Sequence, residues 1–173
     1  MRYLEENQLG FKIGAGVVPI VSAASFATKG SLGTASFKVP GTEVVVGAIV
    51  AVNAVGDIYH PRTNAILAAA RAVDDKGFRD TITAIMNGHG VIKSGGANTT
   101  IGAIATNVSF NKAELKKIAG MAQDGFARTI NPVLTMFDGD TIFALSTGKV
   151  EGVALEPLVL LPPRSWDRRS CAQ

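Results

Sequence analysis

The run VVVGAIVAV at residues 44–52 constrains the fold of this chain more than any other stretch. Val44, Val45, Val46, Ile49, Val50 and Val52 are β-branched, and polar residues hardly interrupt them. Such side chains pack well on a pleated surface, and an unbroken series of them reads as a strand buried on both faces. A strand of that kind needs neighbours. Residues 37–40 supply one through the turn at Pro40-Gly41, and small-residue strands are expected at 101–106 and 141–145. The Gly/Ser/Thr-rich stretch TKGSLGTAS at 28–36 reads as a loop, and residues 2–8 as the last turns of a helix closed by Gly10.

One helix is clear. Asn111 caps the segment 112–128, and Glu114 completes a capping-box arrangement three residues later. Leu115, Ile118, Ala119, Ala122 and Phe126 then form one apolar stripe, with Lys116, Lys117, Gln123 and Asp124 facing away, and Pro132 stops the helix. Residues 58–96 are more polar and rich in Gly, and read as a surface connection with one short helix over 78–86. Strands together with a helix give an α+β class. Residues 1–161 read as a single domain, and the Arg/Pro/Ser-rich residues 162–173 as a disordered tail.

Composition narrows the function. Apolar residues make up 47% and charged residues 18%, which is enough apolar surface for a core and excludes disorder over most of the chain. The net charge is +3, and Arg164, Arg168 and Arg169 against Asp167 supply much of it, so the body carries no nucleic-acid footprint. Cys171 is the single cysteine, and His60 and His89 are the two histidines, so neither a disulfide framework nor a Cys/His zinc cluster is available. The apolar run at 13–27 imitates a signal peptide, but Glu5 and Glu6 precede it and Pro19 interrupts it. The expectation is a soluble, cytoplasmic protein without a membrane span.

Several familiar sites are missing. No serine stands in G-x-S-x-G. Pro19 follows Gly14 and Gly16 where a dinucleotide fold needs a helix, and Gly148-Lys149 lacks the Ser or Thr of a P-loop. Ser109 and Lys112 form S-x-x-K without its K-T-G partner, which reads as the start of a helix.

Three places carry possible chemistry. In SGGANTTIGAIATN, at 94–107, flexible glycines lead to Asn98-Thr99 and a strand follows at once. A Thr hydroxyl can attack the preceding carbonyl where the backbone bends, and cleavage would give Thr99 a free α-amine. With a pKa near ~8 that amine can serve as the base for its own hydroxyl. The same residues also read as a plain loop entering a strand. In FDGDT, Asp138 and Asp140 project to one side of an extended backbone. They can hold an ammonium, orient a hydroxyl, bind a metal, or make a turn. Asn53, at the end of the Val-rich strand, can donate to a developing oxyanion or sit in a strand-terminal turn.

The segments MRYLEE, VPIV, TKGSLGTAS, VVGAIVAVNAVGD, GANTTIGAIATN, MAQDGFARTINPV and TMFDGDTIFALSTGK together resemble the DmpA-type aminopeptidases (L-aminopeptidase/D-amino-acid esterase), and in particular the branch with the nylon-oligomer hydrolase. The resemblance covers most of residues 1–150. It implies an αββα sandwich akin to the N-terminal-nucleophile hydrolases and ornithine acetyltransferase. It implies self-cleavage between Asn98 and Thr99 into an α part, 1–98, and a β part from 99, with Thr99 as nucleophile. Asp138 and Asp140 match the carboxylates that orient the Thr hydroxyl and amine, Asn53 the oxyanion-side Asn, and Lys29 a Lys near the site. It further implies release of N-terminal residues from peptides or amides, no metal or other cofactor, and assembly of αβ units into homo-oligomers.

The chain departs from the family pattern in four ways. The portion that the family pattern places before Met1 reads as missing. Only residues 22–27 separate VPIV from TKGSLG, so an internal segment reads as deleted, and with it the place of the family's active-site Tyr; neither Tyr3 nor Tyr59 stands in a matching motif. LPPRSWDRRSCAQ replaces the expected Ala-rich helix. Gln123 and Leu134 stand where His is common. The competing expectation is therefore an inert member of the family that keeps the fold core and pairs with another chain.

Overall fold

The computed structural model describes residues 2–3, 20–21, 28–30, 32–72, 77–88, 98–136 and 138–152. In chain order these form β1 (Arg2–Tyr3), β2 (Ile20–Val21), β3 (Thr28–Lys29), β4 (Leu32–Lys38), β5 (Val45–Ala51), β6 (Asp57–Tyr59), β7 (Ile66–Ala68), β8 (Ala70–Arg71) and β9 (Phe78–Arg79). After these come α1 (Thr81–Met86), β10 (Ile101–Val108), α2 (Lys112–Ala127), β11 (Ile130–Asn131) and β12 (Thr141–Val150). The class is α+β. The expected tail at 162–173 lies outside the described residues, as does all of the signal-like run except β2.

A five-stranded mixed sheet in the order β1-β4-β5-β10-β12 organises the chain. β4 and β5 form an antiparallel hairpin, β10 runs antiparallel to β5, and β12 runs parallel to β10. The hairpin turns at Pro40-Gly41, where Gly41 takes φ +74°, a conformation that glycine adopts without steric cost. The Thr42 hydroxyl donates to the Val39 carbonyl and accepts from the Val44 N–H, closing the turn.

Three expectations need correction here. Of residues 28–36, read as a loop, Thr28–Lys29 form strand β3 and 32–36 belong to β4, which runs on into the strand expected from 37 and pairs along its length with β5. The ladder overrides the low strand propensity of Gly33 and Ser36, which pair with Val50 and Gly47 of β5. Arg2–Tyr3, read as the end of a helix, is strand β1 on the outer edge of β4, where its backbone meets Thr34 and Gly33. The region from 58 contains the expected short helix, α1, but also the strand pairs β6–β7 and β8–β9, because its short apolar stretches at Ile58, Ile66–Ala68, Ala70 and Phe78 pair with one another between the polar turns.

β5 is central, yet among the described residues it is not covered on both faces. Ile49 is 42% exposed, and on the same face of the sheet Phe143 and Leu145 of β12 are 58% and 50% exposed. The other face carries α2. Asn111 accepts from the Ala113 and Glu114 N–H groups, and Glu114 accepts from the Asn111 N–H, so the expected capping box is formed. Phe126 rests where Gly102 has no side chain: a Cβ there would lie 3.4 Å from the Phe126 ring and 3.3 Å from Ile142. Ala54, Phe126 and Ile130 form the buried cluster, flanked by Val50, Val52, Ile58, Val133 and Ile142. Among the described residues, this is one helical layer on one sheet of the expected four-layer sandwich.

Candidate active site

The site lies where three segments leave the five-stranded sheet at one end. Residues 52–56 follow β5, residues 98–100 lead into β10, and residues 138–140 lead into β12. The segment 98–100 is stitched to both neighbours. The Thr99 N–H donates to the main-chain carbonyl of Asn53 at 2.9 Å. The Gly139 N–H donates to the Asn98 carbonyl at 3.0 Å, and the Thr141 N–H donates to the Thr100 carbonyl at 3.0 Å. A parallel bridge thus joins Asn98 and Asp138 just ahead of the β10–β12 ladder.

The β5–β6 loop is held from both sides. A Cβ on Gly56 would lie 2.0 Å from the Pro132 carbonyl oxygen, so the backbones touch and only glycine fits. Asp57, fully buried, accepts from the Thr81 N–H and the Thr81 hydroxyl at 2.6 Å each. Burial pushes its carboxyl pKa up, and the two Thr81 bonds oppose that shift. These contacts fix the loop that presents Asn53.

Thr99 is half-buried, and its hydroxyl donates to the carbonyl of Asn98 at 2.7 Å. The Asn98 carbonyl oxygen therefore receives two donors, the Thr99 hydroxyl and the Gly139 N–H. Asn98 itself is 3% exposed, and among the described residues its side-chain nitrogen finds no partner.

The two carboxylates sit beside this peptide with separate partners. Asp140 accepts from the Thr100 N–H at 2.7 Å. Burial raises its pKa, the Thr100 N–H bond opposes that shift, and the Asp138 charge adds to the rise. Asp138 accepts from the Thr135 N–H and hydroxyl at 2.9 and 2.8 Å through one oxygen. Its other oxygen is buried without a hydrogen-bond partner among the described residues. The Thr99 hydroxyl is thus bonded to the peptide ahead of it, and each carboxylate to a neighbouring threonine.

The structure therefore gathers Asn53, Asn98, Thr99, Asp138 and Asp140 at one end of the sheet. Lys29 lies in β3, paired with Ile20, and its side chain is outside the described residues. Tyr59 donates its hydroxyl to Asp80 at 2.8 Å, and burial followed by that carboxylate pushes its pKa up to about 12. Among the described residues no group of three His, Cys, Asp or Glu side chains is placed to hold a metal. Two contributors escaped the sequence reading. Gly139 acts through its backbone, and its one trace is its place between the two aspartates. Thr100 was masked by its neighbour in the pair Thr99-Thr100.

Chemically, the arrangement sets a hydroxyl against the carbonyl of its own preceding peptide. That carbonyl is polarised by a fixed N–H, and the amide nitrogen is held by a carbonyl on the far side.

The sequence matches peptidase family S58 over residues 10–168. An uncharacterized aminopeptidase of Mycobacterium leprae is 40% identical over 144 residues, which cover 82% of this chain and 38% of that protein. An uncharacterized aminopeptidase of Mycobacterium tuberculosis is 37% identical over 198 aligned positions, covering 87% of this chain and 57% of that protein. The 6-aminohexanoate-oligomer endohydrolase of Paenarthrobacter ureafaciens is 43% identical over 54 residues, 31% of this chain and 15% of that enzyme. Among solved structures, the L-aminopeptidase D-Ala-esterase/amidase of Ochrobactrum anthropi superposes with a TM-score of 0.45 at 21% identity, over 72% of this chain and 30% of that one. The chain thus spans little more than half the length of these curated relatives, or less. With the family match running through nearly all of its residues, the chain belongs to peptidase family S58.

Proposed function

We propose that this chain is a self-processing threonine hydrolase. In this reading the bond between Asn98 and Thr99 is cut by the Thr99 hydroxyl, and the freed Thr99 then serves as the nucleophile toward peptides or amides, with its own α-amine as base. The observation that carries the reading is the 2.7 Å bond from the Thr99 hydroxyl to the carbonyl of the peptide it would cut. Asp138 and Asp140 would hold the new ammonium and the hydroxyl, and the Asn53 amide would face the substrate oxyanion. Lys29 would contact substrate.

The substrate class is a small peptide or amide with a free N-terminal residue. Family membership and the aminopeptidase relatives favour it. The αβ units would assemble into homo-oligomers, an arrangement favoured by the exposed Ile49, Phe143 and Leu145 on one sheet face. A cytoplasmic setting accords with the single Cys171.

The same exposed face favours a second reading, in which the chain is an inert module that pairs with another chain through that surface. Intact mass of the purified protein separates the two. The hydrolase reading expects fragments 1–98 and 99–173, absent from a Thr99→Ala control. A folded chain that stays at 18.0 kDa would leave the pairing module as the function.

A further inference from the structure

We propose that the main-chain N–H of Gly139 is a catalytic group of self-cleavage, holding the Asn98 carbonyl oxygen as it becomes an oxyanion. The inference rests on the reading of Thr99 as a self-processing nucleophile. It goes beyond that reading by assigning the group that bears the charge.

In the uncut chain the Asn98 oxygen has two donors, the Thr99 hydroxyl at 2.7 Å and the Gly139 N–H at 3.0 Å. They do not share one fate. In the attack, a bond forms between Thr99 Oγ1 and the Asn98 carbonyl carbon, and the carbonyl electron pair moves onto oxygen. The hydroxyl gives up its proton, which ends on the Thr99 nitrogen as the carbon–nitrogen bond breaks. The product is an ester of Asn98 on the Thr99 oxygen with a free amine at Thr99. Water then adds to the ester, releasing the Asn98 carboxylate and restoring the hydroxyl. The first donor is therefore lost at the moment the oxygen gains charge. The Gly139 N–H remains, and a donor already in place needs no reorganisation.

Two observations fix that donor. The residues on either side of Gly139 are tied to the residues on either side of Thr99: Asp138 bridges Asn98, and the Asp140 carboxylate accepts from the Thr100 N–H at 2.7 Å. Position 139 must also lack a side chain, because a Cβ there would lie 2.7 Å from Thr99 Oγ1, inside contact distance of the attacking atom. One residue thus supplies the donor and leaves room for the nucleophile.

The test replaces Gly139 in the full chain by glycolic acid, which turns its N–H into an ester oxygen and adds no bulk. Cleavage is followed by intact mass, with circular dichroism confirming the fold. The expected result is cleavage slowed about 100- to 1000-fold. Cleavage of the ester chain at the parental rate overturns the proposal while the self-processing reading stands. A folded parental chain that never cuts overturns both. A second measurement is independent of folding of the ester variant. In uncut Thr99→Ala protein, a through-bond NMR coupling between the Gly139 nitrogen and the Asn98 carbonyl carbon is expected, and its absence overturns the assignment.

Discussion

The amide nitrogen of Thr99 is bonded to the main-chain carbonyl of Asn53, not to a side chain. This contact is independent of what residue 53 is, because it joins the end of the Val-rich strand to the candidate nucleophile through main-chain atoms. This separates two roles that a single Asn at that position otherwise confounds.

Asn53→Ala keeps the backbone bond to Thr99 and deletes the side-chain amide. If that amide faces the substrate oxyanion, turnover of an amino-acid p-nitroanilide by the folded variant, its fold checked by circular dichroism, should fall about 100-fold or more. Unaltered turnover would remove Asn53 from the oxyanion role and leave it as a backbone prop.

Gly56→Ala tests how tightly the loop is held. The added Cβ would meet the Pro132 carbonyl at 2.0 Å and the Asn131 carbonyl carbon at 2.6 Å, both backbone atoms that no rotamer change can clear. Urea unfolding should register a loss of up to about 3 kcal/mol. A loss within ~0.5 kcal/mol, the range of an ordinary surface substitution, would mean that the two segments are not in contact in solution.

Asp57 gives stability a pH dependence of definite sign. Its pKa in the folded chain lies above the ordinary 3.8, because burial disfavours the charged carboxylate more than the Thr81 bonds favour it. The contribution is therefore fully present below 3.8 and is lost as pH rises through the raised folded value. Asp57→Asn should cancel it, since the amide oxygen can accept from the Thr81 N–H and the amide nitrogen can donate to the Thr81 hydroxyl. Urea titrations from acid to neutral pH should show the parent losing stability relative to Asp57→Asn as pH rises. Parallel curves would contradict the assignment.

Much of the scaffold was legible because its signals are local. β-branching marks β5, and the Asn111–Glu114 spacing marks the start of α2. Thr28–Lys29 and residues 32–36 of β4 were hidden because Gly, Ser and Thr announce loops, and only the partner strand makes them a ladder. The cover on β5 was overread for a related reason: hydrophobicity says that a strand prefers burial, not how many layers pack on it. At the site, the glycine run before Asn98-Thr99 and the paired aspartates draw attention through composition. The contacts that arrange them, Thr99 to Asn53 and Gly139 to Asn98, are made by main-chain atoms that every residue carries and no sequence advertises.

The position of Asn98-Thr99 in the sheet also decides what cutting would do to the particle. β5 lies upstream of that bond and β10 downstream, yet the two are neighbours in the middle of the sheet, paired from Ile101 with Ala51 to Thr106 with Val46. β12 is then zipped onto the far side of β10. A break there is a nick at the rim of a seam already sewn, and the halves could part only by tearing the sheet down its centre. Covalent continuity would be a scaffold for assembly, needed until the strands have met and dispensable afterwards.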